Sequence, residues 1–302
     1  MKSNRQSIRI RIISAVTLLL MLFVWSFPSQ AYSNPSTAAP DAAPLPSKLE
    51  QQVKEWAVLL AKQKPFAVYQ TADPQIEALG PGTHSWLVLF TKEGKDIGYM
   101  VVHAVTDGSF RLGEYGLGPY SLFSQQLLTR SLIDNGLLSE EDSHLMTSVK
   151  HYIHPFAAAW EVTIGDDRYW LDAKTAELLP VDALTWQQFI ADSAAPPDKD
   201  IKESARIDSL MLNESFDAYE RLPWLTKEAP FPAKDAKKLQ SRLKNKQHLR
   251  YVTEPFGEIM LYAVPVIGYQ QWSNGRMDLA LDMEGTRFIP LKALLRKGLF
   301  YR

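Results

Sequence analysis

This chain predicts an α+β protein, with helices packed on antiparallel sheets in at least two units. Two hairpin signatures, at 86–105 and 154–183, give the sheets, since apolar residues recur there every second position. Helical windows with apolar spacing of three to four residues lie between them. A gapless internal repeat at an offset of 110 residues gives the second unit: Leu171–Leu184 (LDAKTAELLPVDAL) aligns with Leu281–Leu294 (LDMEGTRFIPLKAL).

The 154–183 stretch is the most strongly patterned. Trp160, Val162 and Ile164 alternate with Glu161 and Thr163; Gly165-Asp166-Asp167 supplies turn residues, and Tyr169 and Leu171 begin the return. Asp172-Ala173-Lys174-Thr175 reads as a turn whose Asp carboxylate accepts the N–H two residues on. Asp182 then caps a helix over about 183–192. The run WEVTIGDDRYWLDAKTAELL, residues 160–179, resembles the end of a PepSY domain, and the C-terminal repeat does so weakly. In that family strand, turn and strand end in Asp-Ala-x-Thr-Gly-Glu-hydrophobic; here Ala176 stands where the family has glycine. The resemblance implies PepSY- or cystatin-like units and a role in regulating or inhibiting a peptidase.

Taken in order, residues 1–31 read as a secretory signal: Lys2, Arg5, Arg9 and Arg11 precede the apolar run Ile12–Phe27, and Ser29-Gln30-Ala31 forms a small-x-small site. An uncleaved anchor through residues 12–27 is the other reading. Both predict a secreted or extracytoplasmic protein. Residues 32–47, rich in Pro, Ala and Ser, read as a tether. An α+β domain over 48–192 follows, then a linker over 193–206 and a smaller α+β unit over 207–302. Within the first, a helix over 49–62 carries Leu49, Val53, Trp56 and Leu60 on one stripe, and Phe66–Gln70 reads as a short strand. Strands over 86–90, 97–105 and 110–115 precede a helix over 121–134, stopped by Asn135-Gly136. In the second, Ile207–Tyr219 is weakly helical and Lys234–Arg250 is a basic helix. Glu258–Tyr269 and Arg276–Asp282 form a hairpin.

Without its first 31 residues the chain carries 29 Lys+Arg against 34 Asp+Glu, which excludes a general attraction to nucleic acid. It has no cysteine, hence no disulfide and no thiol nucleophile. His151 and His154 give an H-x-x-H spacing, but on a strand they face opposite sides and cannot share a metal. Ser241–Lys244 matches S-x-x-K without the K-T-G that would accompany it. Trp160, Tyr169, Trp170, Trp186 and Trp272 could stack on sugars, though aromatics beside β-branched residues more often build a core. No catalytic, cofactor-binding or metal-ligating residue is assigned.

The function expected is therefore an exported, non-catalytic binding module at the cell envelope, with a protein or peptide partner. That partner would pair with a sheet edge near Trp86 or Tyr99. Residues 234–250 are the candidate contact for an anionic envelope polymer. The alternative is a cell-envelope hydrolase whose site is not visible in sequence.

Overall fold

The computed structural model describes residues 45–80, 83–119, 121–139, 141–193 and 205–302, all within one compact unit spanning 43–302. Residues 1–31, read above as a signal or anchor, and most of the segments read as tether and linker lie outside the described residues.

The elements run α1 (Leu45–Ala61), a 3-10 helix (Lys64–Thr71), β1 (Asp73–Ala78), β2 (Ser85–Lys92), β3 (Lys95–Ala104), β4 (Phe110–Leu117) and α2 (Gln125–Asp134). A 3-10 turn (Ser143–Leu145), β5 (Met146–His154), β6 (Ala157–Ile164), β7 (Asp167–Asp172) and α3 (Ala183–Ser193) follow. The rest comprises β8 (Ile207–Leu212), α4 (Ala236–Lys244), β9 (Arg250–Thr253), β10 (Pro255–Glu258), β11 (Tyr262–Trp272), β12 (Met277–Asp282), β13 (Thr286–Pro290), α5 (Leu291–Lys297) and β14 (Gly298–Tyr301). The fold is mixed α and β with antiparallel sheets.

A ten-stranded sheet runs β1-β2-β3-β4-β13-β12-β11-β9-β14, with β8 also on β11; β5-β6-β7 form a separate sheet. Segments 48–192 and 207–302 thus meet along the β4–β13 pairing, with Phe288 opposite Tyr115 and Arg287 opposite Gly116. Strands β2 and β3 are buried on both faces. Val88, Phe90, Met100 and Val102 pack under Leu49, Val53, Trp56 and Leu60 of α1. On the opposite face Leu87, Tyr99 and Val101 meet Trp160, Val162 and Leu171 of the small sheet, with Leu128 and Leu132 of α2. The outer side of the small sheet is closed by α3 through Trp186, stacked on Trp170 with centroids 4.8 Å apart.

Three expectations are corrected. Phe66–Gln70 is 3-10 helix, because Pro65 starts a helical turn and the three-residue period points Phe66 and Tyr69 into one core. Ile207–Leu212 is a strand: pairing with β11 outweighs a weak helical pattern. The basic helix is confined to Ala236–Lys244. Asp235 Oδ1 caps it at 3.1 Å from the amides of Lys237 and Lys238, and Lys246 turns left-handed at its end (φ 54°).

The repeat is present in the backbone. Strands β7 and β12 begin and end 110 residues apart. So do the ends of α2 and α4: Asn135 donates to the carbonyls of Ser131 and Ile133, and Asn245 to those of Ser241 and Leu243. Leu137 N–H then reaches Leu132 O as Gln247 N–H reaches Arg242 O. The copies diverge after the turn. In the first, the return is a single bridge, Leu171 to Leu178; in the second it is all of β13, which continues the large sheet to β4.

Candidate functional site

The two equivalent turns, one after β7 and one between β12 and β13, face each other. Asp172 ends β7 and organises the first: its Oδ1 accepts from the amides of Lys174 and Thr175 at 2.7 Å each, the expected turn geometry. Its Oδ2 accepts from Tyr262 Oη at 2.7 Å, tying the first copy to the start of β11 in the second. Lys174 Nζ donates to Glu284 O at 2.8 Å across the two turns. Asp282 has no such role: the second turn closes through Met283 N–H on Gly285 O, and no side-chain hydrogen bond of Asp282 is present among the described residues.

Beneath the turns lies a charged node. Glu114 on β4 accepts from Arg287 on β13 through Nη2 (2.8 Å) and Nε (3.1 Å), and from Tyr152 and Tyr99 hydroxyls at 3.1 and 3.2 Å. Arg287 also donates to Pro155 O at 2.6 Å. Burial, the largest single influence, would lower the Arg287 value, but Glu114 together with Tyr99 and Asp172 outweighs it and the value is raised. Burial raises Tyr99 and Tyr152 and adjacent Glu114 raises them further. Burial, with the Arg287 charge second, pushes Lys174 down to about 7. His154, buried near Lys297 and Arg287, is pushed down to about 3.

Above this node opens a cleft of about 330 Å³. Thr175 and Glu177 line it from the first turn, Asp282, Met283 and Glu284 from the second, and Tyr262, Ala263 and Val264 from β11; Tyr219 closes one side. A larger depression, about 570 Å³, lies along α2, but among the described residues that helix alone lines it. The first is the better candidate, because separate elements converge there at the junction of two related halves.

The residues weighed from sequence do not gather here. His151 bonds Glu161 at 2.8 Å and packs on Trp170, whereas His154 Nδ1 accepts Phe156 N–H at 3.2 Å. Among the described residues, no group of three or more His, Asp or Glu is placed to hold a metal ion. Ser241 and Lys244 are exposed on α4. Trp160, Trp170, Trp186 and Trp272 are buried. The contact expected for a guest strand near Tyr99 is overturned: β3 lies between β2 and β4, and Tyr99 is buried with its hydroxyl on Glu114. A Ser–His contact that no motif signals does occur, Ser85 Oγ to His103 Nδ1 at 2.7 Å. Burial and the charges of Arg111 and Arg276 push that imidazole down to about 3, which makes it a poor general base. Glu114, Arg287 and Tyr262 escaped the sequence because they lie far apart in it; Lys174 and Glu284 share a repeat position, the one signal that could have paired them.

Fold and cleft together define an antiparallel α+β protein in which a duplicated hairpin-and-turn encloses a polar cleft between its two copies. No protein-family model matches the chain, and no curated protein matches it.

Proposed function

We propose that the chain is a non-catalytic binding module, exported to the cell envelope, that holds a peptide or protein partner. The observation that carries this reading is the cleft between the two turns, whose rim offers contact groups while the polar groups below are engaged with one another. Asp172 is committed to two turn amides and Tyr262, and Glu114 to Arg287 and two tyrosines. A preorganised surface of this kind suits recognition.

The two hairpin-and-turn copies are, in this reading, PepSY-like units, with Ala176 in the left-handed conformation (φ 55°) that the family's glycine would take. Regulation or inhibition of a peptidase is the role that the likeness suggests. Lys234, Lys237, Lys238, Lys244 and Lys246, exposed on and beside α4, form a separate contact for an anionic envelope polymer.

Incubation of the purified protein with cell-wall and peptide substrates, with capture of peptides on the immobilised chain, tests the reading. Retained peptide with no released product is expected. Turnover abolished by a single serine or carboxylate substitution would replace it with the hydrolase reading.

A further inference from the structure

We infer that the cleft between the two turns receives a lysine or arginine side chain of an extended peptide whose residues two positions away, on the same face, are apolar. The inference rests on the binding-module reading and names the ligand class. Two features of the same surface carry it.

The first is an exposed apolar patch beside the cleft. Tyr219, Leu225 and Leu299 are 53 %, 67 % and 51 % exposed, large side chains left in water where most such residues of this chain are buried. Pairing connects two of them: the Tyr219 hydroxyl accepts Ala263 N–H at 3.4 Å, Ala263 lies opposite Val252, and Val252 opposite Leu299; Leu225 follows Trp224, whose ring lies 6.0 Å from that of Tyr219. Tyr219 and Leu299 thus flank a floor formed by the buried Ala263 and Val252, and the patch reaches the cleft at Tyr219, which belongs to both.

The second is charge. Glu177, Asp282 and Glu284 line the cleft, and among the described residues no lysine or arginine does. Beneath the turns Arg287 is paired with Glu114 and the Lys174 ammonium sits on Glu284 O; three rim carboxylates against that one ammonium leave the rim net negative. A cationic side chain in the cleft meets complementary charge, while apolar residues two positions away on the same face of the guest cover the exposed side chains beside it. An acidic guest would be repelled, and a cationic guest without apolar neighbours would lose the patch.

The test uses the full chain and three fluorescent octapeptides with serine at every second position and, on the other face, leucine alternating with lysine, leucine alternating with glutamate, or serine alternating with lysine. Fluorescence anisotropy should show the leucine–lysine peptide binding at least about tenfold more tightly than the other two. The double charge reversal Glu177→Lys/Asp282→Lys, and separately Leu225→Ser/Leu299→Ser, should each weaken it by about tenfold or more. All four positions are at the surface, and unchanged thermal melting verifies folding of the variants. Equal binding of the leucine–glutamate peptide, or affinity unaffected by the charge reversal, overturns the assignment. A partner still captured by the charge-reversed protein would leave the binding-module reading standing and remove this site from it; substrate turnover would remove both.

Discussion

Lys174 and Glu284 stand 110 residues apart in the chain and 2.8 Å apart in space, the ammonium of one on the carbonyl of the other. That separation is the repeat offset itself, so equivalent positions of the two copies touch. The contact has a pH signature. In the unfolded chain Lys174 titrates at its ordinary 10.5; in the folded protein burial and Arg287 bring it down to about 7, against the opposing pull of Glu114, Glu284 and Asp172. Between these values the unfolded chain binds the extra proton, so this group makes stability rise with pH, fully by pH 10.5, and the gain is lost as pH falls toward 7. Urea unfolding from pH 7 to 9 should show the rise in the native protein and a flatter profile in Lys174→Met. Parallel profiles would rule out a buried, charge-penalised Lys174.

The Glu114–Arg287 pair should behave as a buried ion pair. Glu114→Gln leaves the guanidinium buried without its counter-charge and should cost about 3–5 kcal/mol in urea unfolding. The double variant Glu114→Gln/Arg287→Met should cost less than the sum of its single changes. A loss below about 1 kcal/mol for Glu114→Gln would mean that water reaches the node.

At Asp172 the sequence alone suggests a turn cap worth about 0.5–2 kcal/mol. The structure adds the Tyr262 hydroxyl to the two amides, so Asp172→Ala should exceed about 2 kcal/mol and should couple to Tyr262→Phe in a double-mutant cycle. Additive losses would disprove the tie between the copies.

Ala176 is a buried alanine at φ 55°. Glycine takes this conformation without the Cβ clash, so Ala176→Gly should stabilise by about 0.5–1 kcal/mol despite the larger entropy of the unfolded chain. A lower melting temperature would show that the buried methyl outweighs the strain.

His103 and His154 set an acid limit. Both are driven mainly by burial down to about 3, whereas the unfolded chain takes up their protons near 6.5. Stability should therefore fall as pH drops from 6.5 toward 3, by about 1 kcal/mol or more for each histidine. His103→Asn and His154→Asn should each flatten that fall, read from urea midpoints at pH 4, 5 and 6. Unchanged slopes would mean that the rings are hydrated.

Periodicity and turn chemistry act over a few residues, and the sequence determined what they control. The alternation in Trp160–Ile164, the Asp172 turn, the Asp182 cap on Thr185 N–H at 2.7 Å and the spacing of Leu49, Val53, Trp56 and Leu60 all reappear in the fold. It also disclosed the 110-residue repeat, because a duplicated turn keeps its local residues. Tertiary structure decided the rest. Ile207–Leu212 became a strand because β11 offered it hydrogen bonds, and Phe66 and Tyr69 turned inward together because a core lay on one side. Apart from the Asp172 turn and the repeat position shared by Lys174 and Glu284, the candidate site was of this kind. Arg287 and Glu114 are 173 residues apart and Tyr262 and Asp172 are 90 apart, and only the β4–β13 pairing and the facing of the two turns bring them within hydrogen-bond reach.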